Sequence, residues 1–282
     1  MFNKLVVITG SNTGIGFETA VDLASRGAKV ILACRDEKRG TTARDQIIKS
    51  TGNQNITFKP LDLASFKSVR AFADDIMKSE SRLDVLINNA GTGNVGNFLT
   101  EDHLPFEAQV NHFSPFLLTL ILLPLLKSSA PSRIVNVSSV MHKIGKIDLG
   151  QFDKQAKTVL SRLRVYSDTK LANILFTRRL SQILSGTGVT VNCLHPGAVN
   201  TDIFRNKDVV TKFLIRLFFK TATEGAQTSV HLAVSQKLED TTGKYFCDCR
   251  EVEPASRARD DATADKLWKL SEEVVSYQKK VE

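Results

Sequence analysis

The amino-acid sequence predicts a single α/β domain, a doubly wound parallel β-sheet with helices on both faces. Three observations carry this reading. Short apolar runs recur between longer segments of helical periodicity, the pattern of strands joined by crossover helices. The first run, Leu5 to Thr9, leads into glycines at 10, 14 and 16 and then into a helix-periodic segment. Polar residues (Asp62, Asn88, Ser139 and His195-Pro196-Gly197) follow directly on predicted strands, where open α/β sheets bind their ligands. Strand and helix alternate from end to end, so residues 1–282 read as one domain, with an insertion at about 200–222.

Each element has its own signal. Leu5 to Ile8 is apolar throughout, as a strand buried on both faces must be. Ala20, Val21, Leu23 and Ala24 give Phe17 to Arg26 one apolar helical face, and Gly27 ends it. Lys29 to Cys34 is the second strand, and Asp36 to Ser50 a charged amphipathic helix stopped near Gly52. Ile56 to Leu61 is the third strand, closing at Asp62, and Ser65 caps a helix that runs to about Ser79. Val85 to Ile87 is the fourth strand and leads into Asn88-Asn89-Ala90-Gly91.

A long helix is expected over Leu104 to Lys127. Its stretch from Phe113 to Leu126 is very apolar, yet shorter than the ~20 residues of a membrane span, and Pro115 and Pro124 interrupt it. It therefore reads as a core helix. Arg133 to Val137 is the fifth strand, Tyr166 to Leu184 a helix, and Val189 to Leu194 the sixth strand. Thr221-x-x-Glu224 has capping-box spacing before another helix. Lys244 to Cys247 is a short last strand, and Asp261 to Lys280 a final amphipathic helix.

Composition narrows the classes. With 42% hydrophobic and 24% charged residues, the chain has the balance of a globular protein with a sizeable core. A net charge of +8 suits anionic ligands or surfaces without specifying one, and no nucleic-acid-binding motif is present, so no nucleic-acid partner is expected. Cys247-x-Cys249 lacks a second ligand pair at zinc spacing and the five histidines are scattered, so no metal is assigned. The cysteines read as reduced thiols of an intracellular protein. Met1-Phe2-Asn3-Lys4 leaves no room for a signal peptide, so the expected location is the cytoplasm or the periphery of an intracellular membrane.

The chemistry begins at the glycines. Missing side chains let the backbone approach a pyrophosphate, whose charge then meets the N–H groups at a helix N-terminus. Tyr166 and Lys170 are four residues apart on a predicted helix, hence on one face. An ammonium beside a phenol lowers the phenol's pKa and makes it a usable acid or base. Alone, Tyr-x-x-x-Lys is common on solvated helix faces. Here it follows Thr9-Gly10-x-x-x-Gly14-Ile15-Gly16, Asn88-Asn89-Ala90-Gly91, Asn111 and Ser139, and precedes Pro196-Gly197. With these motifs in this order, the chain resembles the short-chain dehydrogenase/reductase superfamily over nearly its whole length. Leu32-Ala33-Cys34-Arg35-Asp36, Tyr166-Ser167-Asp168-Thr169-Lys170-Leu171-Ala172-Asn173, His195-Pro196-Gly197 and the long loop from Met141 to Val165 resemble its retinol dehydrogenase branch.

The resemblance implies a Rossmann-type fold, an oxidoreductase acting on CH–OH groups, and a division of roles. Tyr166 would exchange a proton with the substrate oxygen, and Lys170 would hold the nicotinamide ribose. Ser139, ahead of Ser138, would hydrogen-bond the substrate oxygen. Asn111 would order a proton-relaying water, or, read locally, satisfy nearby backbone; Asn88 reads as a tie between strands. Gly10, Ser11, Asn12, Thr13, Gly14, Ile15, Gly16, Asn89, Ala90, Gly91, Pro196, Gly197 and Val199 would line the dinucleotide. Asp62 would meet the adenine, or, read locally, serve as a cap or turn residue; Leu63 would also touch the cofactor, and Thr201 the nicotinamide amide.

Arg35 follows the second strand at once, with Lys38 and Arg39 nearby, which points to the 2′-phosphate of NADP(H). Asp36 keeps NAD(H) open, although it is placed to start the next helix. Phe204 and the run from Phe213 to Phe219 follow the sixth strand, where this family carries its substrate lid. Phe204, Phe213 and Phe218 are therefore expected to meet the substrate together with Ser139 and Tyr166. Edged by Lys212 and Lys220, the same run also suits a peripheral membrane contact or a homodimer interface. The implied activity is NADP(H)-dependent interconversion of a lipophilic aldehyde or ketone and its alcohol, with retinal and retinol leading. Steroid (ecdysteroid-like) ketones and isoprenoid alcohols are the alternatives. A catalytically idle NADPH-binding protein and a sugar-nucleotide epimerase are rivals of other kinds.

Overall fold

Strands that are apolar on both faces need cover on both, and the sheet of this chain has it. A computed structural model describes residues 1–93, 96–155, 159–197 and 220–277, the side chains of 159–163 and 276–277 excepted. Among these residues β1 (Leu5–Thr9), β2 (Lys29–Cys34), β3 (Ile56–Pro60), β4 (Val85–Asn88), β5 (Ser132–Val137), β6 (Val189–His195) and β7 (Tyr245–Cys247) are parallel, in the spatial order β3-β2-β1-β4-β5-β6-β7. The chain direction of growth reverses between β1 and β4, which opens a crevice beyond their carboxyl ends.

The pleat sorts the apolar residues between two cores. Leu5 and Val7 face one, with Phe66, Phe113, Leu171 and Leu267. Val6 and Ile8 face the other, with Leu23, Ile47 and Val230. The helices α1 (Gly14–Ser25) and α2 (Glu37–Thr51) cover the second core. Opposite them lie α3 (Phe66–Ser79), α4 (Phe106–Ser128) and α5 (Val159–Ile183). Further along the chain α6 (Ala222–Val234) joins the first pair and α7 (Asp261–Tyr277) the second group.

The local signals act as their chemistry requires. Asp36 caps α2 by accepting the Arg39 N–H at 2.9 Å, and Ser65 caps α3 by accepting that of Ser68 at 3.2 Å. Gly52 ends α2 at φ +73°, where a side chain would be strained, and Thr221 and Glu224 form a reciprocal capping box before α6.

Three expectations need correction. Pro115 and Pro124 do not interrupt α4. Pro115 stands at the start of the regular α segment, where its missing N–H costs least, directly after a π-helical turn at Gln109–Phe113; the helix runs on through Pro124. Its 23 residues are long and apolar enough to cross a membrane by length and composition, yet 72% of the most apolar window is buried inside the fold. Second, α5 begins at Val159, ahead of Tyr166. Third, a short strand β8 (Arg250–Glu251) turns back antiparallel on β7; both its residues are exposed, so no apolar pattern announces it. The helix α7 is described as far as Tyr277, and its expected end at Lys280 lies outside the described residues.

Candidate active site

A cleft of about 660 Å³ opens where the strand order reverses. Gly10, Asn12, Thr13, Gly14, Ile15 and Gly16 form one wall, and Arg35, Asp62 and Leu63 the next. Asn89, Ala90 and Gly91 come from the end of β4, and Tyr166, Lys170 and Pro196 close the far side.

The glycine turn is shaped for close approach. Gly10 and Gly14 have φ of +65° and +58°, a region that side chains strain to adopt. A Cβ at Gly16 would sit 2.4 Å from Asn89 Nδ2, and one at Gly10 2.9 Å from Ala90. The neighbours are held as firmly. Asn89 donates to the carbonyls of Thr9 and Gly10 at 2.9 and 3.2 Å, while Thr9 Oγ1 accepts the N–H groups of Asn89 and Ala90, both at 3.0 Å. Backbone N–H groups at the start of α1 therefore meet the cleft in a fixed frame, with no side-chain cap from Thr13 across them. This cradle of backbone and absent side chains fits a pyrophosphate.

Ser11 departs from expectation. It is fully buried, and its hydroxyl turns inward to donate to the Ile8 carbonyl at 2.8 Å. It braces the turn instead of lining the cleft. Asp62 lines the cleft while its Oδ1 accepts the Ala64 N–H at 2.9 Å, so the turn role and the wall role coincide. Asn88 ties strands, as expected: its Nδ2 donates to Asn136 Oδ1 at 2.8 Å and to Thr119 Oγ1 at 3.0 Å. Arg35 is exposed at the cleft wall, while Asp36 is engaged in the α2 cap.

Helix α5 brings Tyr166 and Lys170 to the cleft together, the Lys170 Nζ lying 5.6 Å from the Tyr166 ring centroid. Lys170 is 4% exposed, and its Nζ donates to the Val137 carbonyl at 3.2 Å. Burial lowers its pKa to about 8, opposed by the nearby Cys193. Burial also pushes the Tyr166 phenol above its usual range; a hydrogen bond with Ser139 pulls it back, and the Glu107 carboxylate pushes it up. The lowered phenol pKa expected from Lys170 is therefore not what the chain's own groups produce, because desolvation outweighs them.

Ser139 lies near the Tyr166 phenol, and its hydroxyl accepts the Met141 N–H at 3.2 Å. Ser138 is committed elsewhere, donating to the Lys170 carbonyl at 2.6 Å. Asn111 lies in the π-helical turn of α4 and is fully buried. Its Oδ1 accepts the Thr92 N–H at 2.8 Å, and its Nδ2 donates to the Thr92 carbonyl at 2.8 Å and to Thr169 Oγ1 at 3.0 Å. Both amide hydrogens are thus used to hold the β4 loop to α5. A Cβ at Gly91 would lie 3.0 Å from Lys170 Nζ and 3.4 Å from Asn111 Oδ1, so the glycine leaves the space between them open.

Gly197 follows Pro196 at φ +88°, its N–H donating to His195 Nδ1 at 3.1 Å. Val199, Thr201, Phe204, Phe213 and Phe218 lie outside the described residues. The sequence reading missed an apolar wall of Phe98, Phe106 and Val110, with the first two rings 4.7 Å apart, and also Ala33, Cys34, Leu61, Thr92 and Val137. Only the i, i+4 spacing of Phe106 and Val110, which puts them on one face at the start of the apolar helix, could have hinted at them.

Residues 4–209 match the family described as short chain dehydrogenase. Retinol dehydrogenase 12 of Homo sapiens is 47% identical over 277 residues, covering 98% of this chain and 87% of that protein. Retinol dehydrogenase 14 of Mus musculus is 45% identical over 295 residues, covering 99% and 88%. Among solved structures, an uncharacterized protein of Mycobacterium Paratuberculosis superposes with a TM-score of 0.79 at 33% identity, covering 98% of this chain and 94% of that one. A short chain dehydrogenase of Shigella flexneri complexed with NADP reaches 0.71 at 25% identity, covering 89% and 98%.

Proposed function

The chain belongs to the short-chain dehydrogenase family, in its retinol dehydrogenase-like branch, and from that membership we propose that it is an NADP(H)-dependent oxidoreductase interconverting a lipophilic aldehyde or ketone and its alcohol. One observation carries the reading: Tyr166, Lys170 and the glycine turn line one cleft, with Ser139 near the Tyr166 phenol.

Gly10, Gly14 and Gly16 with the first turn of α1 would hold the pyrophosphate, Asp62 and Leu63 the adenine, and Lys170 the nicotinamide ribose. Arg35 would hold a 2′-phosphate, and the use of Asp36 as a helix cap favours NADP(H) over NAD(H). A bound nicotinamide supplies or accepts the hydride. Ser139 then hydrogen-bonds the substrate oxygen and orients it. Tyr166 gives its hydroxyl proton to that oxygen in reduction, or takes a proton from the alcohol in oxidation. A phenol above its usual range is a proton donor at neutral pH, which suits reduction. A water between Lys170 Nζ and the remaining acceptor capacity of Asn111 Oδ1 would return the proton to Tyr166. Phe98, Phe106 and Val110 offer the apolar wall that a lipophilic substrate needs.

The test is NADPH oxidation measured in parallel against retinal, farnesal, steroid ketones and a short aldehyde. Turnover is expected, with higher kcat/KM for the long apolar carbonyls. Tight NADPH binding without turnover of any carbonyl would replace this reading with an idle cofactor-binding protein. Preference for the short aldehyde would remove the lipophilic substrate.

A further inference from the structure

The turn after β5 carries a histidine that this chemistry does not use. His142 is 1% exposed, although Met141 and Ile144 on the same turn are exposed. The groups around its ring define its state. Nε2 faces the backbone N–H of Ala255 at 3.2 Å; an N–H only donates, so Nε2 is the acceptor and carries no proton. Nδ1 lies 2.8 Å from the Ser139 carbonyl, which only accepts, so Nδ1 carries the proton. The Tyr245 hydroxyl lies 3.3 Å from Nδ1, its ring edge-on to the imidazole with centroids 5.0 Å apart. The contacts select one neutral tautomer, and burial, which holds the ring below the usual histidine range, agrees with it.

This tautomer clamps Ser139. Its carbonyl accepts twice from His142, through Nδ1 at 2.8 Å and through the backbone N–H at 3.1 Å. Its hydroxyl accepts the Met141 N–H at 3.2 Å, close enough to Tyr166 to act on the phenol. Any rotation of the Ser139 peptide that swings the hydroxyl away from Tyr166 must break the Nδ1 bond. On the other side of the ring, Ala255 belongs to the segment after β8. Arg257 secures that segment to the same turn by donating to the Gly145 carbonyl at 3.2 Å.

Taking the role of Ser139 from the function proposed above, we infer that His142 is a positioning residue for the reaction. Its Nδ1–H fixes the Ser139 peptide so that the hydroxyl meets the substrate oxygen beside Tyr166, and its Nε2 docks the chain after β8 onto the same turn.

The experiment compares His142→Ala, His142→Asn, Ser139→Ala and the Ser139→Ala/His142→Ala double variant, on whichever carbonyl of the panel the wild type reduces best. Asn keeps an N–H near the Nδ1 position and loses the Nε2 acceptor. His142→Ala should lower kcat about 10- to 100-fold, the scale of a small misplacement of a reacting group, with NADPH affinity unchanged. His142→Asn should recover most of that loss. In the Ser139→Ala background His142→Ala should cost nothing further, since no hydroxyl remains to be positioned. Losses that add in the double variant, or no recovery by Asn, make His142 a structural residue and overturn the inference alone. Wild-type turnover by Ser139→Ala overturns the role of Ser139, and the inference with it. A spectroscopic measurement stands apart from activity and from the folding of the variants: the imidazole ¹⁵N shifts of the wild type at pH 7. Protonated Nδ1 with unprotonated Nε2 is expected, and the other tautomer or an imidazolium overturns the inference.

Discussion

A lysine kept almost out of water is a poorer cation than one in solvent, and the pH dependence of the proposed site follows from Lys170 and Tyr166. Lys170, lowered to about 8, is an ammonium below that pH and increasingly an amine above it. NADPH affinity should therefore fall as pH rises through 8, and Lys170→Met should abolish that fall in a titration series; a pH-independent wild type would remove Lys170 from cofactor binding. Tyr166, raised above the usual phenol range, keeps its proton at neutral pH. Tyr166→Phe should lose roughly 10²–10⁴ of turnover with NADPH binding retained, because it removes only the hydroxyl that exchanges the proton. Arg35 is exposed and meets the cleft without a role in the core. A hydrogen bond to a charged group contributes about 1.5–3 kcal/mol, so Arg35→Ala should weaken NADPH by about one to two orders of magnitude and NADH far less. Equal losses for the two cofactors would assign Arg35 to general charge.

At the scale of elements, the π-helical turn Gln109–Phe113 is what lets α4 serve two purposes. An inserted residue re-aims the helix, and such turns gather at functional sites. Here it aims Asn111 at partners 19 and 58 residues away, the Thr92 backbone and the Thr169 hydroxyl. Through Thr169, whose Oγ1 also donates to the Tyr166 carbonyl at 2.8 Å, the β4 loop is registered against the turn of α5 that carries Tyr166 and Lys170. Asn111→Ala takes the partner from the Thr92 N–H and carbonyl, at about 1–3 kcal/mol for each buried group left unsatisfied, while the Thr169 hydroxyl keeps only its bond to the Tyr166 carbonyl. The expected result is a melting temperature lowered by several degrees and faster amide exchange at Thr92. An unchanged melting curve would mean that the loop is held by other contacts.

Among the described elements of the whole molecule α7 comes last, yet it packs beside α4 and α5 and closes the core they share. Trp268 packs edge-on to Phe116 with ring centroids 4.9 Å apart, and Ser271 meets the fully buried His112 Nε2 at 2.9 Å. Burial holds His112 down at about 3, against 6.5 in the open chain. Between those values the unfolded chain binds a proton that the folded chain refuses, so stability falls as pH is lowered through this window, by up to about 1.4 kcal/mol per unit, and this histidine adds no pH dependence above it. Urea melts at pH 7 and pH 5 should differ by about 2 kcal/mol from His112 alone. His112→Gln, which keeps a polar end for Ser271 and does not titrate, should remove that difference. If the variant loses as much as the wild type on acidification, the titrating group lies elsewhere.

What the sequence determined by itself is whatever depends on spacing along the chain. The glycine turn, Tyr166 four residues before Lys170, the Asp36 and Ser65 caps and the Thr221–Glu224 box all connect residues within a few positions, so type and interval suffice to read them. The alternation of strands and helices, with strands apolar on both faces, required a parallel sheet covered on both sides. The tertiary structure decided the contacts between segments that are distant in sequence. It turned Ser11 inward, gave Ser138 to the Lys170 carbonyl and Asn111 to Thr92 and Thr169, and packed Phe98 and Phe106 into a wall. It kept α4 unbroken through two prolines by burying it, and it made His142 a clamp by bringing Ala255, 113 residues away, to its second nitrogen. A side chain's type states what it can donate, accept or bury. Which partner it finds depends on where the sheet order and the crossover helices bring the rest of the chain, and the tertiary fold alone fixes that.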